Sequence, residues 1–139
     1  MVTLRASIRK PNSVGIVTTT GTALVPAADL VHTLGTNRSG VTRTAIIRKI
    51  LAYNNTGGNV LLQFGTRDLA AVPAFVQYLP DLLALNGLEN VWEEGELPAV
   101  EFSVLTLPLA LGREGNIYVS SLGVAAGVLV TIEVDELGS

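Results

Sequence analysis

The segment from Arg43 to Gly65, RTAIIRKILAYNNTGGNVLLQFG, decides the fold. It contains two apolar runs separated by a polar break at residues 54–58, and the second run places Val60, Leu62 and Phe64 on one face of a strand. A tight polar break between two such runs is typical of a β-hairpin. The segment therefore predicts two paired strands joined by a turn.

The first of these runs also has a spacing that would suit a helix. Ile46, Ile47, Ile50 and Leu51 recur about every four residues. Three of the four are β-branched, and the alternating second run needs a neighbouring strand to pair with. We therefore interpret Arg43–Tyr53 as a strand, with a helix as the alternative.

Short segments separated by Gly, Pro and Asn fill the rest of the chain. Residues 2–9 alternate as a strand does, and the proline-containing segment 10–13 is predicted to end that strand. A hairpin is predicted over residues 14–25, with its turn at Thr20-Gly21. Further strands are predicted at 30–34, 74–79, 100–107, 116–122 and 128–136, and a turn at 112–115 is predicted to join 100–107 and 116–122 as a hairpin. A short apolar run at 82–85 is closed by a turn at 86–87, a short helix is predicted after Asp68, and the segment 89–96 is acidic and exposed. In the last strand Val128, Val130, Ile132 and Val134 are predicted to face inward. This series predicts one all-β domain over residues 1–139, an antiparallel β-sandwich of jelly-roll type with an extended N-terminal arm.

The composition predicts self-association. Of the 139 residues, 48% are hydrophobic and only 15% are charged, and the mean hydropathy is +0.46. These values are too apolar for a disordered chain and unusually apolar for a free monomer. We therefore expect a homo-oligomer, and we place Tyr53 and Phe64 in the core.

The charges divide the chain into two halves of opposite sign. Through Arg67 there are eight basic residues and one acid, a net charge of +7, whereas from Asp68 onward there are one basic residue and eleven acids, a net charge of −10. Strands from the two halves could pair within one sheet and cancel these charges. Neighbouring copies could also attract each other through them. Both explanations are compatible with the sequence.

The residues that carry catalysis or bind metals are scarce. The chain has no cysteine and a single histidine, His32, and it has no phosphate-binding loop or hydrolase motif. Asp29 is interpreted as a loop neighbour of His32 rather than as an orienting acid. The carboxylates Glu93, Glu94, Glu96 and Glu101 are interpreted as a solvated acidic face rather than a calcium site or a glycosidase pair. The sequence therefore predicts no catalytic site, no metal and no cofactor.

Two classes of partner are disfavoured. The basic half has only two aromatic residues, which argues against nucleic acid. The uncharged stretches 11–28 and 115–132 are interrupted by polar residues, and the N-terminus lacks the apolar core of a signal peptide, so no membrane partner is expected. Trp92 with Tyr78 or Tyr118 could form an aromatic platform, but a core or interface anchor is the preferred interpretation.

Three segments, IRKILAYNNTGGNVLLQFG, LPDLLALNGLENVWEEGELPAVEF and VLVTIEVDEL, resemble in pattern the small β-sandwich virion proteins of tailed phages, of the capsid-decoration or minor capsid type. The resemblance spans residues 43–137. It implies a non-enzymatic virion protein that forms homo-oligomers, often trimers, and binds a lattice of major capsid protein. A cell-surface or filament-forming β-sandwich subunit, which would be extracellular, is the alternative. A carbohydrate-binding module is less favoured, because aromatic residues make up only 5% of the chain.

The N-terminal segment is the predicted docking element. We expect residues 1–12 to add as a strand to a neighbouring subunit or to a capsid surface, because the segment alternates and is basic. Backbone pairing would dominate, since exposed ion pairs contribute only about 0–1 kcal/mol each. The predicted interface residues are Val2, Leu4, Arg5, Ile8, Arg9, Lys10, Trp92, Glu93 and Glu94.

Overall fold

Ten β-strands and no helix occur in the residues that the computed structural model describes, which are 8–20, 28–35, 44–68, 74–93, 95–97, 101–102, 116–123 and 127–138. The strands are β1 (Ile8–Thr18), β2 (Asp29–His32), β3 (Thr44–Asn54), β4 (Val60–Asp68), β5 (Ala74–Gln77), β6 (Leu82–Ala84), β7 (Leu88–Glu93), β8 (Glu101–Phe102), β9 (Ile117–Gly123) and β10 (Leu129–Gly138).

The strands form two antiparallel sheets. Sheet A has the order β1-β10-β3-β7, and β8 also pairs with β3. Sheet B has the order β2-β9-β4-β5, and β6 also pairs with β4. This arrangement confirms the predicted all-β antiparallel sandwich.

The core lies between the sheets and follows from the alternation of the strands. Val130, Ile132 and Val134 of β10 are fully buried, as are Leu62 and Phe64 of β4. Burying each such side chain contributes about 1.5–3 kcal/mol. The inward positions predicted for the last strand are therefore confirmed.

Every pairing in the described part of the chain joins a strand of the first half to a strand of the second. β1 pairs with β10, β2 with β9, β3 with β7 and β8, and β4 with β5 and β6, so the pairs are nested like the arms of one long hairpin. The bend of this hairpin follows β4, which ends at Asp68, where the charge changes sign. Lys49 consequently lies between Glu133 and Glu93. The pairing of opposite charges within one sheet, one of the two explanations above, is thus observed.

The hairpin predicted at residues 43–65 is wrong. β3 lies in sheet A and β4 lies in sheet B, so the loop at 55–59 crosses from one sheet to the other. β3 packs against the core from one side and β4 packs against it from the other side. The two strands therefore face each other across the core and do not pair through backbone hydrogen bonds. The turn at Asn86-Gly87 likewise connects β6 in sheet B with β7 in sheet A.

The apparent helical spacing of the first run is explained by a β-bulge. Glu133 pairs with Lys49 and Val134 pairs with Ile47, which leaves Arg48 as the extra residue. The buried positions of β3 shift at this point from odd to even residue numbers. The strand interpretation of this run is confirmed.

The proline-containing segment does not end the first strand, contrary to the prediction. β1 runs without a break from Ile8 to Thr18, with a register shift between Lys10 and Ser13. Because β1 is an edge strand and proline lacks only the N–H donor, Pro11 is accommodated at the bulge.

The other predicted elements agree in position where they are described. β2, β5, β9 and β10 occupy segments predicted as strands, β6 lies in the apolar run at 82–85, and β8 lies at the start of the strand predicted at 100–107. The hairpin predicted for 100–107 and 116–122 is wrong, because β8 lies in sheet A and β9 in sheet B. The acidic segment is the strand β7, whose side chains are exposed except for Asn90 and Trp92. The predicted second strand at 22–25, the helix after Asp68 and the turn at 112–115 lie outside the described residues.

Candidate interaction surface

The outward side chains of sheet A form a grid of three rows across β1, β10, β3 and β7. We call these twelve residues the sheet A face. In strand order the rows are Val14, Glu133, Lys49 and Glu93; Ile16, Thr131, Leu51 and Val91; and Thr18, Leu129, Tyr53 and Glu89.

Six of the twelve side chains of the sheet A face are apolar or aromatic, and five of these are more than 40% exposed. Ile16 is 63% exposed, Val14 53%, Tyr53 46%, Leu129 43% and Val91 41%. With strands about 4.8 Å apart and successive outward residues about 6.8 Å apart, the grid covers on the order of 400 Å². Half of the twelve positions are apolar or aromatic, so the apolar part of the grid covers about 200 Å². Exposed apolar area gathered on one face is a candidate site for a protein contact.

Charged residues are confined to one row and to the β7 margin. Lys49 lies between Glu133 and Glu93 in the first row, and Glu89 ends the third row. Two rows that are rich in apolar residues therefore lie beside one charged row, and non-obligate protein–protein interfaces combine apolar and charged side chains in this way.

Sheet B presents a different outer face. Tyr118 and Ser120 point away from the core on β9, yet they are only 5% and 3% exposed. Leu61 and Leu83 are exposed there as one cross-strand pair. Sheet A therefore carries the broader open apolar face among the described residues.

A buried histidine–carboxylate pair joins the two sheets. His32 Nε2 on β2 lies 2.6 Å from Glu136 Oε2 on β10, and the backbone N–H of Gly35 donates to Glu136 Oε1 at 2.9 Å. Asp29 does not orient His32, because its carboxylate accepts hydrogen bonds from the backbone N–H and the hydroxyl of Thr20. Sequence reasoning missed Glu136, which lies 104 positions from His32 along the chain.

No cluster of three or more His, Cys, Asp or Glu side chains that could hold a metal ion occurs within the described ranges. Glu93 and Glu96 of the acidic segment are exposed, and the backbone N–H of Glu93 donates to Glu96 Oε1 at 3.0 Å. This contact closes a turn at the end of β7.

The predicted interface residues that the structure describes lie at two opposite edges of sheet A. Val2, Leu4, Arg5 and Glu94 lie outside the described residues. Ile8, Arg9 and Lys10 belong to β1 and pair with Gly138, Leu137 and Glu136 of the same chain. Trp92 and Glu93 belong to β7, which is the opposite edge of sheet A. Trp92 packs against the core, whereas Glu93 lies on the sheet A face.

The apolar residues of the sheet A face were missed as a site. The prediction that Tyr53 belongs to the core is wrong, since its side chain points to solvent next to Leu129. A usable signal was present, because β1 and β3 carry apolar residues on both faces instead of alternating apolar and polar ones.

No helix among the described residues is long and apolar enough to cross a membrane. Comparison with protein-family models, with curated proteins and with solved structures finds no match to this chain.

Proposed function

We propose that the protein is a non-enzymatic structural protein of a virion, which self-associates and binds a lattice of major capsid protein as a decoration or minor capsid protein. The observation that supports self-association best is the sheet A face, which leaves Tyr53 and Leu129 exposed on the two central strands and Ile16 exposed on the edge strand β1. Open apolar sheets of this kind are covered in stable assemblies.

The nested strand pairing supports a jelly roll. When β5 with β6 and β7 with β8 are each counted as one interrupted strand, the sheets have the orders 1-8-3-6 and 2-7-4-5. This is a hairpin of eight strands rolled into two sheets, and jelly rolls are common among viral capsid domains. Because a fold does not determine function, this argument ranks below the exposed face.

We propose that the protein has no enzymatic role because its one histidine, His32, is largely buried and bonded to Glu136. His32 and Glu136 are 10% and 3% exposed at their side chains and are bonded to each other. A general base must reach a substrate proton. The pair instead links β2 to β10, which is a structural role.

A filament-forming subunit of a cell surface is the second candidate. The two outermost strands of sheet A, β1 and β7, are edges to which another strand can add. Head-to-tail addition of this kind yields rings when the rotation closes and filaments when it does not.

Analytical ultracentrifugation and electron microscopy of the purified protein test the proposal. We expect a concentration-dependent homo-oligomer. The resemblance to decoration proteins implies trimers or rings, whereas a two-fold contact through the sheet A face would give dimers. Long polymers would favour the filament subunit, and a stable monomer at high micromolar concentration would overturn self-association.

Two matched variants locate the contact. Ile16→Asp places a charge in the middle row of the sheet A face, where Ile16 is 63% exposed, and Leu83→Asp places the same charge on sheet B, where Leu83 is 48% exposed. We expect the first variant to lose association and the second to keep it. Equal behaviour of the two would exclude the sheet A face as the contact.

A further inference from the structure

We propose that the sheet A face docks on the sheet A face of a second copy, around a two-fold axis that runs parallel to the strands between β10 and β3. The inference rests on the proposed self-association and specifies its contact. Two sheets pack face to face about 10 Å apart with their strands within about 30° of each other, which this axis allows.

The axis brings apolar residues opposite each other. Rotation about this axis places β10 over β3 of the second copy and β1 over β7 of the second copy. Each row of the face then lies opposite the same row of the second copy. In the middle row Ile16 then faces Val91, and in the third row Leu129 faces Tyr53. Symmetry repeats each contact, so these four exposed side chains are covered in both copies.

The same axis pairs opposite charges. In the first row Glu133 of one copy faces Lys49 of the other, and the reciprocal pair forms on the other side of the axis. Charges arranged in this way fix the register of a contact and reject other orientations.

The other in-plane axis is unfavourable. A two-fold axis perpendicular to the strands would exchange the first and third rows. Glu93 would then face Glu89, and Glu133 would face the apolar side chain of Leu129. Like charges would meet at the margin, and a charge would lose water without gaining a partner. Charge complementarity thus selects the axis parallel to the strands.

The size of the contact predicts weak association. On the order of 400 Å² per copy gives about 800 Å² in total, which is below the roughly 1,200 Å² of standard interfaces. We therefore expect a reversible dimer in solution. On a lattice that holds many copies, the effective concentration strengthens such a contact.

Two charge-reversal variants test the pairing between copies. In Lys49→Glu all charged residues of the first row are acidic, and in Glu133→Lys the first row has two adjacent lysines. Each variant alone places like charges opposite each other in its own dimer. In the heterodimer, Glu133 of the Lys49→Glu copy faces Lys49 of the Glu133→Lys copy. The introduced Glu of the first copy faces the introduced Lys of the second, so both pairs between the copies are opposite in sign.

The expected result is a loss of self-association in each variant and its recovery in the mixture. The dimer dissociation constant measured by sedimentation equilibrium should rise about tenfold or more for each variant alone and return to within about threefold of the unmodified value for the heterodimer. A charge pairing disturbed within one subunit cannot explain the recovery, because each variant still carries that disturbance after mixing. Asp81→Lys, an exposed reversal on the sheet B side, is the control and should leave the constant unchanged.

Circular dichroism and thermal unfolding of each variant verify that it is folded. Variants that associate as well as the unmodified protein, or a mixture that fails to recover, would overturn the face-to-face pairing. Trimers that lack a dimeric intermediate would also overturn it while leaving the proposed function intact. A monomeric unmodified protein would instead remove the proposed self-association itself.

Discussion

Asn54 is a buried polar residue whose whole side chain is used. Its amide group donates to the carbonyl oxygens of Gly58 at 2.9 Å and Ala84 at 2.8 Å, and its Oδ1 accepts from the backbone N–H and the hydroxyl of Thr56. Since Asn54 belongs to sheet A and Ala84 to sheet B, the side chain fixes the crossing between the sheets.

Asn54→Ala should therefore destabilise the fold. The substitution removes the side-chain donor to the buried carbonyl oxygen of Ala84 and the side-chain acceptor of the Thr56 N–H, and we expect the free energy of unfolding to fall by about 2–3 kcal/mol. Urea denaturation followed by tryptophan fluorescence measures the change. Ser121→Ala is the matched control, because the Ser121 hydroxyl is also buried but has no hydrogen-bond partner among the described residues. Its removal should leave stability unchanged or raise it by up to about 1 kcal/mol. A similar loss in both variants would contradict the role of Asn54.

The His32–Glu136 pair gives a second prediction for individual residues. Glu136→Ala leaves the imidazole nitrogen and the Gly35 N–H without their acceptor in a buried site, so we expect a loss of about 2–4 kcal/mol in unfolding free energy. Glu89→Ala, an exposed change in the same sheet, should alter stability by less than about 0.5 kcal/mol. Equal effects in the two variants would mean that the contact between the sheets contributes little.

Gly15 marks the edge at which β1 meets β2. A Cβ atom there would lie 2.3 Å from the carbonyl oxygen of Val31, which is backbone and has little freedom to move. We therefore expect Gly15→Ala to separate the two strands and lower the unfolding free energy by about 1–3 kcal/mol. Thr18→Ala on the exposed side of the same strand should cost less than about 1 kcal/mol. Thermal unfolding compares the two, and a Gly15→Ala variant as stable as the Thr18→Ala variant would contradict the close approach.

The existence of most strands was predictable, because alternation survives in a single sequence. β10 shows this best, with Val130, Ile132 and Val134 inward as expected. Bulges were not predictable, since one extra residue such as Arg48 looks locally like a change of period. The sheet to which a strand belongs was also hidden, because the polar loop at 55–59 would serve a hairpin or a crossing equally well. Apolar residues on both faces of β1 and β3 indicate an open apolar surface, but the outward positions of Leu51 and Tyr53 could be assigned only after the bulge was known.

Pairing between the two halves organises the whole molecule. Sheet A alternates strands from the basic and the acidic half, and sheet B follows the same rule. Arg48 Nε, for example, donates to Asp135 Oδ2 at 2.9 Å across this division. Neither half has a described strand that pairs within its own half, so the sandwich needs both.

Fragments cut between Ala70 and Ala71 should therefore complement each other. The cut avoids all described strands and yields pieces with net charges of +6 and −9. We expect each piece alone to lack a cooperative unfolding transition and an equimolar mixture to regain one. Added salt should slow the association, because opposite charges steer the pieces together. Circular dichroism of the pieces and of the mixture provides the measurement, and a piece that folds alone would contradict the prediction.

The central place of β10 in sheet A also affects how the protein folds during translation. β1 and β3 are separated by one strand position, and the strand that fills it is made last of the ten. At about 5–20 residues per second, the ribosome takes several seconds to extend the chain from β3 to β10. During that interval two strand edges with apolar side chains lack their partner, which makes the nascent chain a substrate for chaperones. Sheet A can close only when β10 has left the exit tunnel.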